Sequence, residues 1–289
     1  MPKPKVLIQL DPDSHASVFD AVVAVDSGVE HLLQYDSVEP EQVRDLVHGA
    51  MFTRAPQELA STAIFIGGSN VARGEELLQL VTACFFGPMR VSVLLDANGA
   101  NTTAAAAVLA AARHVSLKGA IATILAGTGP VGQRAARLLA GQGATVRIAS
   151  RTLQRAAEVC QAIQARIPAA RLHPFATVAA ESITEAVDGA QIVIAAGAAG
   201  IQLLSADERK RAKSLKVAID LNAVPPLGIE GIDVMDKARE RDGLFCYGAI
   251  GVGGTKMKIH RAAIERLFTR NDLVLDAEEV FVLGQELAR

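Results

Sequence analysis

IATILAGTGPVGQRAARLLAGQGATVRIASRTLQR, the stretch Ile121–Arg155, decides how this 289-residue chain folds. It has the pattern of a buried strand, a glycine turn, an amphipathic helix and a second buried strand. Gly127, Gly129 and Gly132 follow the G-x-G-x-x-G spacing, which allows a tight turn, close approach to a pyrophosphate and helix–strand contact. Pro130 suits the first helical turn, whose free N–H groups would face the phosphates. The stretch predicts a dinucleotide site, the alternative being a glycine-rich turn without a ligand.

The amino-acid composition and net charge indicate which classes of protein this chain can belong to. Half the residues are hydrophobic and 4% are aromatic, which fits an α/β protein with buried parallel strands. The formal net charge of −2 argues against a nucleic-acid partner. Cys84, Cys160 and Cys246 are far apart, which predicts reduced thiols and no metal site. No segment resembles a signal peptide or a membrane helix, so we expect a cytoplasmic protein.

Strand-like runs alternate with helical patterns along the chain, which predicts parallel sheets with crossover helices and an α/β fold. Length predicts two domains. We expect a Rossmann-type NADP domain at 113–255 and a substrate domain at 1–112, completed by about 256–289. A helix is predicted near Lys258–Phe268, after a glycine-rich turn, and a last helix over Ala277–Leu287. The predicted strands are Val6–Leu10, His31–Tyr35, Ala63–Ile66, Val91–Leu95, one beginning at Ile121, Val146–Ala149, Arg171–Pro174, Ile192–Ala195, Val217–Asp220 and Leu244–Gly248.

The end of the second strand of the glycine stretch predicts which nucleotide is preferred. An NAD site usually has a carboxylate there for the ribose 2′-OH. This chain has Ser150 and Arg151 instead, with Arg155 one helical turn later, and guanidinium groups suit a 2′-phosphate. We therefore predict NADP, with NAD as a weaker cofactor; the alternative is that both arginines begin a solvated helix.

Two later strand ends add to the predicted cofactor site. Ala196 and Gly197 have little bulk, and Asn222 is a candidate partner for the nicotinamide amide. An asparagine-stabilised turn before the proline pair explains Asn222 equally well. The complete set of predicted cofactor residues is Gly127, Thr128, Gly129, Pro130, Val131, Gly132, Ser150, Arg151, Arg155, Ala196, Gly197, Asn222 and Ala223.

Polar residues in three other places predict the substrate side. Asp20 either completes an S-x-x-D helix cap with Ser17 or belongs to the active site. In the segment after the fourth strand, Asn101 or Thr102 is expected to cap a helix, which leaves Asn98 to face a ligand. The predicted residues are Lys256 and Asp20 as catalytic groups, with Ser17, Phe19, Asn98, Thr102, Lys258 and His260 in substrate binding.

The positions of the lysines in the sequence limit which residue could bind the substrate through an ammonium group. Lys256 and Lys258 lie near the predicted helix start, where the dipole disfavours cations, which suggests that they bind a ligand. Helical spacing puts Lys256 on the same face as His260 and Lys258 about 200° away, so Lys256 is the preferred residue. Between Lys5 and Lys118 the chain has no lysine. A substrate-binding ammonium must therefore come from Lys118 or beyond.

Five motifs in this order carry a more specific resemblance: SVFD, DANGANTTAAA, LAGTGPVG, NAVPPLGIEGID and YGAIGVGGTKMKIHR. Together they resemble the methylotroph NADP-dependent methylenetetrahydromethanopterin dehydrogenases, some of which also use methylenetetrahydrofolate. The resemblance implies a two-domain homo-oligomer, a trimer or hexamer, with the pterin in an interdomain cleft. It places Asp20, Lys256 and Lys258 on the pterin side. Thr128, Arg151 and Asn222 fall on the cofactor side.

The chemistry that this resemblance implies needs no general base. A hydride would pass from the methylene carbon of the pterin to the nicotinamide, and catalysis would come mainly from near-attack geometry. Asp20 would favour the positive charge that develops, and Lys256 would anchor the pterin carbonyl. The absence of lysine between Lys5 and Lys118 speaks against a cyclohydrolase step and against a shikimate or quinate dehydrogenase, which would need a Lys–Asp pair. A non-catalytic NADPH-binding sensor is the third alternative.

Overall fold

The computed structural model describes residues 3–178 and 180–288. They form two β-sheets of mostly parallel strands connected by helices, which confirms the α/β prediction. The described strands are β1 (Val6–Leu10), β2 (His31–Tyr35), β3 (Thr62–Ile66), β4 (Ser92–Leu95), β5 (Ile121–Leu125), β6 (Thr145–Ser150), β7 (Arg171–Ala176), β8 (Ile192–Ala195), β9 (Val217–Asp220), β10 (Lys237–Arg241), β11 (Leu244–Tyr247) and β12 (Val274–Leu275). The described helices are α1 (Val18–Asp26), α2 (Pro40–Phe52), α3 (Val71–Ala83), α4 (Ala100–Ala112), α5 (Pro130–Gly141), α6 (Leu153–Arg166), α7 (Ala180–Val187), α8 (Ala206–Arg211), α9 (Ala249–Leu267) and α10 (Ala277–Leu287). Within these residues, no helix is both long and apolar enough to cross a membrane.

The chain divides into two compact units. Unit 1 comprises Met1–Thr102 and Met257–Arg289, and unit 2 comprises Thr103–Lys256. The boundaries therefore fall inside α4 and α9.

Unit 1 is built on a five-stranded sheet in the order β12-β4-β3-β1-β2, and its strand pairs are all parallel. The central strand β3 is buried along its whole length, as expected for a strand covered on both faces. β12, from the C-terminal segment, extends the sheet beside β4. Strand order reverses between β1 and β3, and in sheets of this kind ligands bind outside the carboxyl ends of the strands at such a point.

Unit 2 has the doubly wound order of a Rossmann-type sheet, β10-β11-β9-β8-β5-β6-β7. The pairs from β7 to β11 are parallel, and β10 is an antiparallel edge strand. Here the strand order reverses between β5 and β8. The glycine turn follows β5, and the segment beginning at Ala196 follows β8, so both segments leave the sheet at its switch point.

The sequence interpretation was wrong about the start of α9. The segment GAIGVGGTKMKIH was expected to be a turn before a helix near Lys258–Phe268, but the helix already begins at Ala249. Packing requires two of the four glycines, because a Cβ at Gly248 would collide with the carbonyl oxygen of Asp233 and one at Gly251 with that of Asp236. Sequence analysis also missed α7, the edge strand β10 and the two-residue strand β12.

Candidate functional site

The three glycines of the turn after β5 have different reasons to be glycine. A Cβ on Gly127 would lie 2.9 Å from the Ile124 carbonyl oxygen, and one on Gly132 would lie 2.8 Å from the Gly127 Cα. Both positions are therefore required by the fold itself. Gly129 differs, because a Cβ there would meet no atom closer than 3.7 Å and its φ of −76° suits any residue. Packing and backbone conformation therefore do not explain why this position is a glycine.

A cavity of about 330 Å³ opens beside this turn at the carboxyl edge of the unit 2 sheet. It brings together seven of the predicted cofactor residues: Thr128, Gly129, Ser150, Arg151, Arg155, Ala196 and Gly197. Sequence analysis did not assign five further lining residues, which are Ala126, Thr177, Ala198, Ile201 and Leu203. Thr177 directly follows β7, so the rule that ligands lie at carboxyl ends of strands was a signal that could have identified it.

Two arginines supply the charge of this cavity. Arg151 and Arg155 are both exposed, and neither forms a hydrogen bond or ion pair with any other residue that the structure describes. Their guanidinium groups are available to a dianionic phosphate, which they would bind through charge-assisted hydrogen bonds. Pro130 occupies the first turn of α5, as predicted, and leaves the N–H groups of that turn beside the cavity.

Asn222 is committed to a local turn. Its side-chain amide donates to the Pro226 carbonyl oxygen over 3.2 Å, and its side-chain oxygen accepts the Val224 N–H over 2.9 Å. Burial raises the pKa of the neighbouring Asp220, whose carboxylate accepts the Asn222 and Ile229 N–H groups. This arrangement matches the turn alternative for Asn222 and not a side chain presented to a nicotinamide. Ala223, which follows it, is exposed.

In unit 1 two carboxylates converge where β1 and β3 end. A Cβ built on Gly67, the residue after β3, would lie 3.4 Å from Asp20 Oδ2 and 3.5 Å from Asp11 Oδ2. Asp11 directly follows β1 and is fully buried. The sequence prediction did not include Asp11. Its position directly after a buried strand could have identified it, because ligands bind outside the carboxyl ends of parallel strands. The switch point of this sheet therefore has an acidic character.

Ser17 is the N-cap residue of α1, as the S-x-x-D pattern predicted, but the Asp20 side chain does not complete a capping box. The Ser17 Oγ accepts the Asp20 N–H over 3.2 Å, as an N-cap residue does. The Ser17 N–H donates to Asp11 Oδ2 over 3.0 Å instead of to the Asp20 carboxylate. The reciprocal bond of a capping box is thus replaced by Asp11, and the Asp20 carboxylate lies beside Gly67.

The prediction for the start of α4 needs correction. Asp96, rather than Asn101 or Thr102, caps this helix, because its carboxylate accepts both of their backbone N–H groups over 3.0 Å. The Thr102 hydroxyl also donates to Asp96 over 2.6 Å and is fully buried, so it does not face a ligand as predicted. Asn98 is exposed with φ of 54°, a left-handed conformation that asparagine tolerates.

Thr102→Val should therefore destabilise the fold. The change leaves a buried carboxylate oxygen of Asp96 without its hydroxyl donor, and we expect the free energy of unfolding to fall by about 2 kcal/mol. Urea denaturation measures this effect. The neighbouring Thr103→Val, which lies outside the Asp96 network, is the control and should change stability by less than about 0.5 kcal/mol. Equal stabilities for the two variants would contradict the capping role.

His260 belongs to the interior of unit 1, contrary to the prediction that it faces a substrate. Its ring is fully buried and stacks on Phe65, with ring centroids 5.7 Å apart. Its Nδ1 lies 3.9 Å from Asp96 Oδ2. Phe19, by contrast, is 52% exposed, and its ring centroid lies 6.4 Å from that of His260. Phe19 therefore remains accessible near the acidic edge.

The two candidate lysines lie well inside α9. Because this helix begins at Ala249, both stand beyond its first turn, and the expected repulsion from the helix dipole does not apply. Lys256 is half-buried and Lys258 is exposed. The predicted i, i+4 relation of Lys256 to His260 agrees with the helix that contains both.

Two family models match different parts of the chain. Residues 18–98 match the family described as methylene-tetrahydromethanopterin dehydrogenase, N-terminal. Residues 109–239 match the shikimate/quinate 5-dehydrogenase family, which covers only the Rossmann-type part. Among solved structures, quinate dehydrogenase from Corynebacterium glutamicum in complex with NAD has a TM-score of 0.54 at 13% identity, covering 98% of this chain and all of the other. At that identity the likeness concerns the fold alone.

Two proteins of Methylorubrum extorquens are similar over nearly the whole chain. One, named bifunctional protein MdtA, is 45% identical over 98% of this chain and 99% of its own length. The other, named NAD(P)-dependent methylenetetrahydromethanopterin dehydrogenase, is 32% identical over 98% of both. The resemblance seen in the five sequence motifs is thereby confirmed, and the chain belongs to the methylenetetrahydromethanopterin dehydrogenase family.

Proposed function

We propose that this protein is an NADP-dependent dehydrogenase that oxidises methylene-tetrahydromethanopterin to the methenyl form in one-carbon metabolism. The observation that carries the proposal is the extent of the similarity to an NAD(P)-dependent methylenetetrahydromethanopterin dehydrogenase, which includes unit 1 as well as unit 2. Similarity to shikimate and quinate dehydrogenases is confined to residues 109–239 and gives no support for their substrates. A non-catalytic sensor is disfavoured by the same full-length similarity.

The residues of unit 2 fit a phosphorylated dinucleotide. Gly129 is a glycine that packing does not require, and it borders the cavity beside the N-terminus of α5. Arg151 and Arg155 line the same cavity, and no carboxylate is among the lining residues that the structure describes. We propose that the α5 N-terminus and Gly129 hold the pyrophosphate while the arginines hold the 2′-phosphate. Preference for NADP over NAD follows from the arginines.

When bound, NADP supplies a hydride acceptor at its nicotinamide ring. The protein's own task is then to position the pterin, because loss of a hydride from the methylene carbon requires no proton abstraction. We propose that the Asp20 carboxylate, at the acidic edge of unit 1, stabilises the methenyl cation that forms. Asp11 holds the N-terminus of α1 through the Ser17 N–H and so helps to orient Asp20.

The finer features belong to the same proposal. We expect tetrahydromethanopterin as the carrier with tetrahydrofolate as a second candidate, a cytoplasmic location, and a homo-oligomer, a trimer or hexamer. An exposed apolar stripe on α1, with Val18, Val22 and Val25 each more than half exposed, supports self-association. Light scattering of the purified protein measures the subunit count.

One assay tests the activity. NADPH formation is followed by absorbance with methylene-tetrahydromethanopterin, methylene-tetrahydrofolate and shikimate in turn, with NADP or NAD. The proposal expects turnover with a methylene-pterin and none with shikimate. Turnover of shikimate alone, or saturable NADP binding without turnover of any of the three, would contradict it.

Lys256→Ala should lower kcat/KM for the methylene-pterin by roughly tenfold while the Kd for NADP stays unchanged. The reason is the loss of one hydrogen bond from a charged donor to the pterin carbonyl, which contributes about 1.5 kcal/mol. Lys258→Ala is the comparison on the same helix: Lys258 is exposed whereas Lys256 is half-buried, so we expect a smaller loss of kcat/KM for Lys258→Ala than for Lys256→Ala. Near-normal turnover by Lys256→Ala would remove this lysine from the mechanism.

A further inference from the structure

A second cavity, of about 380 Å³, lies in unit 2 away from the glycine turn. One wall comes from α8 and the segment that joins it to β9, and the other from the turn between β10 and β11 and the start of β11. Both walls precede strands that run parallel to β8, so the cavity lies at the amino edge of the sheet. The cofactor cavity lies at the opposite, carboxyl edge. The residues that matter for its chemistry are Arg209, Lys210, Lys213, Leu215, Asp242 and Leu244.

The charge of this cavity is unbalanced. Arg209, Lys210 and Lys213 contribute three cations, and Asp242 is the single carboxylate among the described residues that line it. Lys210 and Lys213 are exposed, whereas the Arg209 side chain is only 7% exposed. Two exposed lysines therefore stand at the rim, and a buried guanidinium lies at the base.

Arg209 is buried without adequate partners. Its Nε is buried and has no hydrogen-bond acceptor within residues 3–178 and 180–288, and its guanidinium makes no hydrogen bond to them. Its ion-pair partner Asp242 stands 3.9 Å away and is itself largely solvent-exposed. Burying a guanidinium is unfavourable unless hydrogen bonds and a counter-charge compensate for lost hydration. An anion in the cavity would provide that compensation.

The local backbone holds Arg209 in place. Gly231 has φ of 83°, and a Cβ there would lie 3.2 Å from Arg209 Nη2, so a glycine at this point leaves room for the guanidinium. On the other wall, Asp242 and Gly243 have φ of 52° and 76°, the signature of a tight type I′ hairpin turn. A glycine beside the guanidinium and a tight turn on the opposite wall thus shape the space around Arg209.

We propose that this cavity binds a small metabolite that carries a phosphate monoester. A guanidinium fork with two nearby ammonium groups matches a dianionic phosphate. The volume falls in the range of small-molecule sites and exceeds what a phosphate group needs, and Leu215 and Leu244 offer apolar contact to the remainder. The site is distinct from the cofactor cavity, so it can act as an effector site whatever reaction the protein catalyses.

The test uses the full-length protein saturated with NADP and repeated in an Arg151→Ala background, so that the cofactor cavity does not report the added phosphate. Inorganic phosphate and glycerol 3-phosphate are titrated against chloride at equal ionic strength, by calorimetry and by thermal unfolding. We expect saturable binding, a rise in Tm with ligand, and tighter binding of the ester than of inorganic phosphate. Arg209→Met should weaken binding of the ester by at least tenfold.

Two milder variants carry the test if Arg209→Met fails to fold. Lys213→Gln should weaken binding several-fold, and Asp242→Asn should strengthen it, because it removes the competing carboxylate and an Asn-Gly pair keeps the hairpin turn. Arg211→Gln, exposed on the same helix but outside the cavity, should leave affinity unchanged. Three results would overturn the proposal: no saturable binding by the wild type, the same affinity for glycerol 3-phosphate in Arg209→Met as in the wild type, or unchanged affinity in both Lys213→Gln and Asp242→Asn.

Discussion

Replacing Gly129 with alanine is expected to raise the Kd for NADP about a hundredfold, equivalent to roughly 2.8 kcal/mol, while the protein remains folded. A methyl group fits the protein itself, since the nearest atom would be 3.7 Å from the new Cβ and φ is −76°. It would, however, occupy the space through which a pyrophosphate approaches the backbone N–H groups. The loss corresponds to one or two charge-assisted hydrogen bonds.

Gly132→Ala is the informative comparison for Gly129→Ala. Its Cβ would lie 2.8 Å from the Gly127 Cα and 3.0 Å from the Gly127 carbonyl oxygen, so α5 has to shift away from the turn. We expect Gly132→Ala to lower the free energy of unfolding by about 1–3 kcal/mol and to weaken NADP binding as well. Cofactor titration and urea denaturation of both variants separate the two effects. Unchanged NADP affinity in Gly129→Ala would mean that the turn does not contact the pyrophosphate.

Arg151→Ala is expected to raise the KM for NADP about a hundredfold and the KM for NAD by less than about threefold. The difference arises because only NADP carries the 2′-phosphate, and a guanidinium contributes about 1.5–3 kcal/mol for each hydrogen bond to a charged group. Initial rates with both nucleotides at saturating methylene-pterin provide the measurement. Arg155 lines the same cavity, so Arg155→Ala should show the same sign with a smaller magnitude.

A matched control for Arg151 is Arg166→Ala, which removes the same charge from the far end of α6, outside the cavity. It should leave the ratio of the two KM values unchanged. If Arg151→Ala raises both KM values equally, Arg151 does not recognise the 2′-phosphate, and the NADP preference must come from elsewhere.

Much of this protein was predictable from local patterns. Parallel strands buried on both faces are continuous apolar runs, so the predicted bounds of Ile192–Ala195 and Val217–Asp220 agree with the structure. The predicted bounds of the last helix, Ala277–Leu287, agree as well. The glycine spacing specified the turn before α5 because each of its constraints acts over a few residues. Family membership followed from motifs spread over the chain, which no single element carries.

Errors arose where distant contacts override local propensity. Four glycines predicted a turn at 248–254, but the segment is helical from Ala249, and the backbone of Asp233–Asp236 packs so closely on Gly248 and Gly251 that no side chain fits at either position. Thr102 and His260 looked like ligand-facing polar residues, yet both are buried in the Asp96 surroundings. Asn222 was ambiguous in sequence because its turn partners, Val224 and Pro226, become evident only from the loop geometry.

By itself, the sequence determined the α/β class, the dinucleotide turn, the arginines that line its cavity and the family, because all of these depend on residue type at short spacing. Tertiary structure alone decided which polar side chains remain accessible. It buried Thr102 and His260, brought Asp11 and Asp20 to the same point beside Gly67, and left Arg209 under-satisfied in a second cavity. Burial and hydrogen-bond partnership depend on residues far apart in the chain, and no local pattern records them.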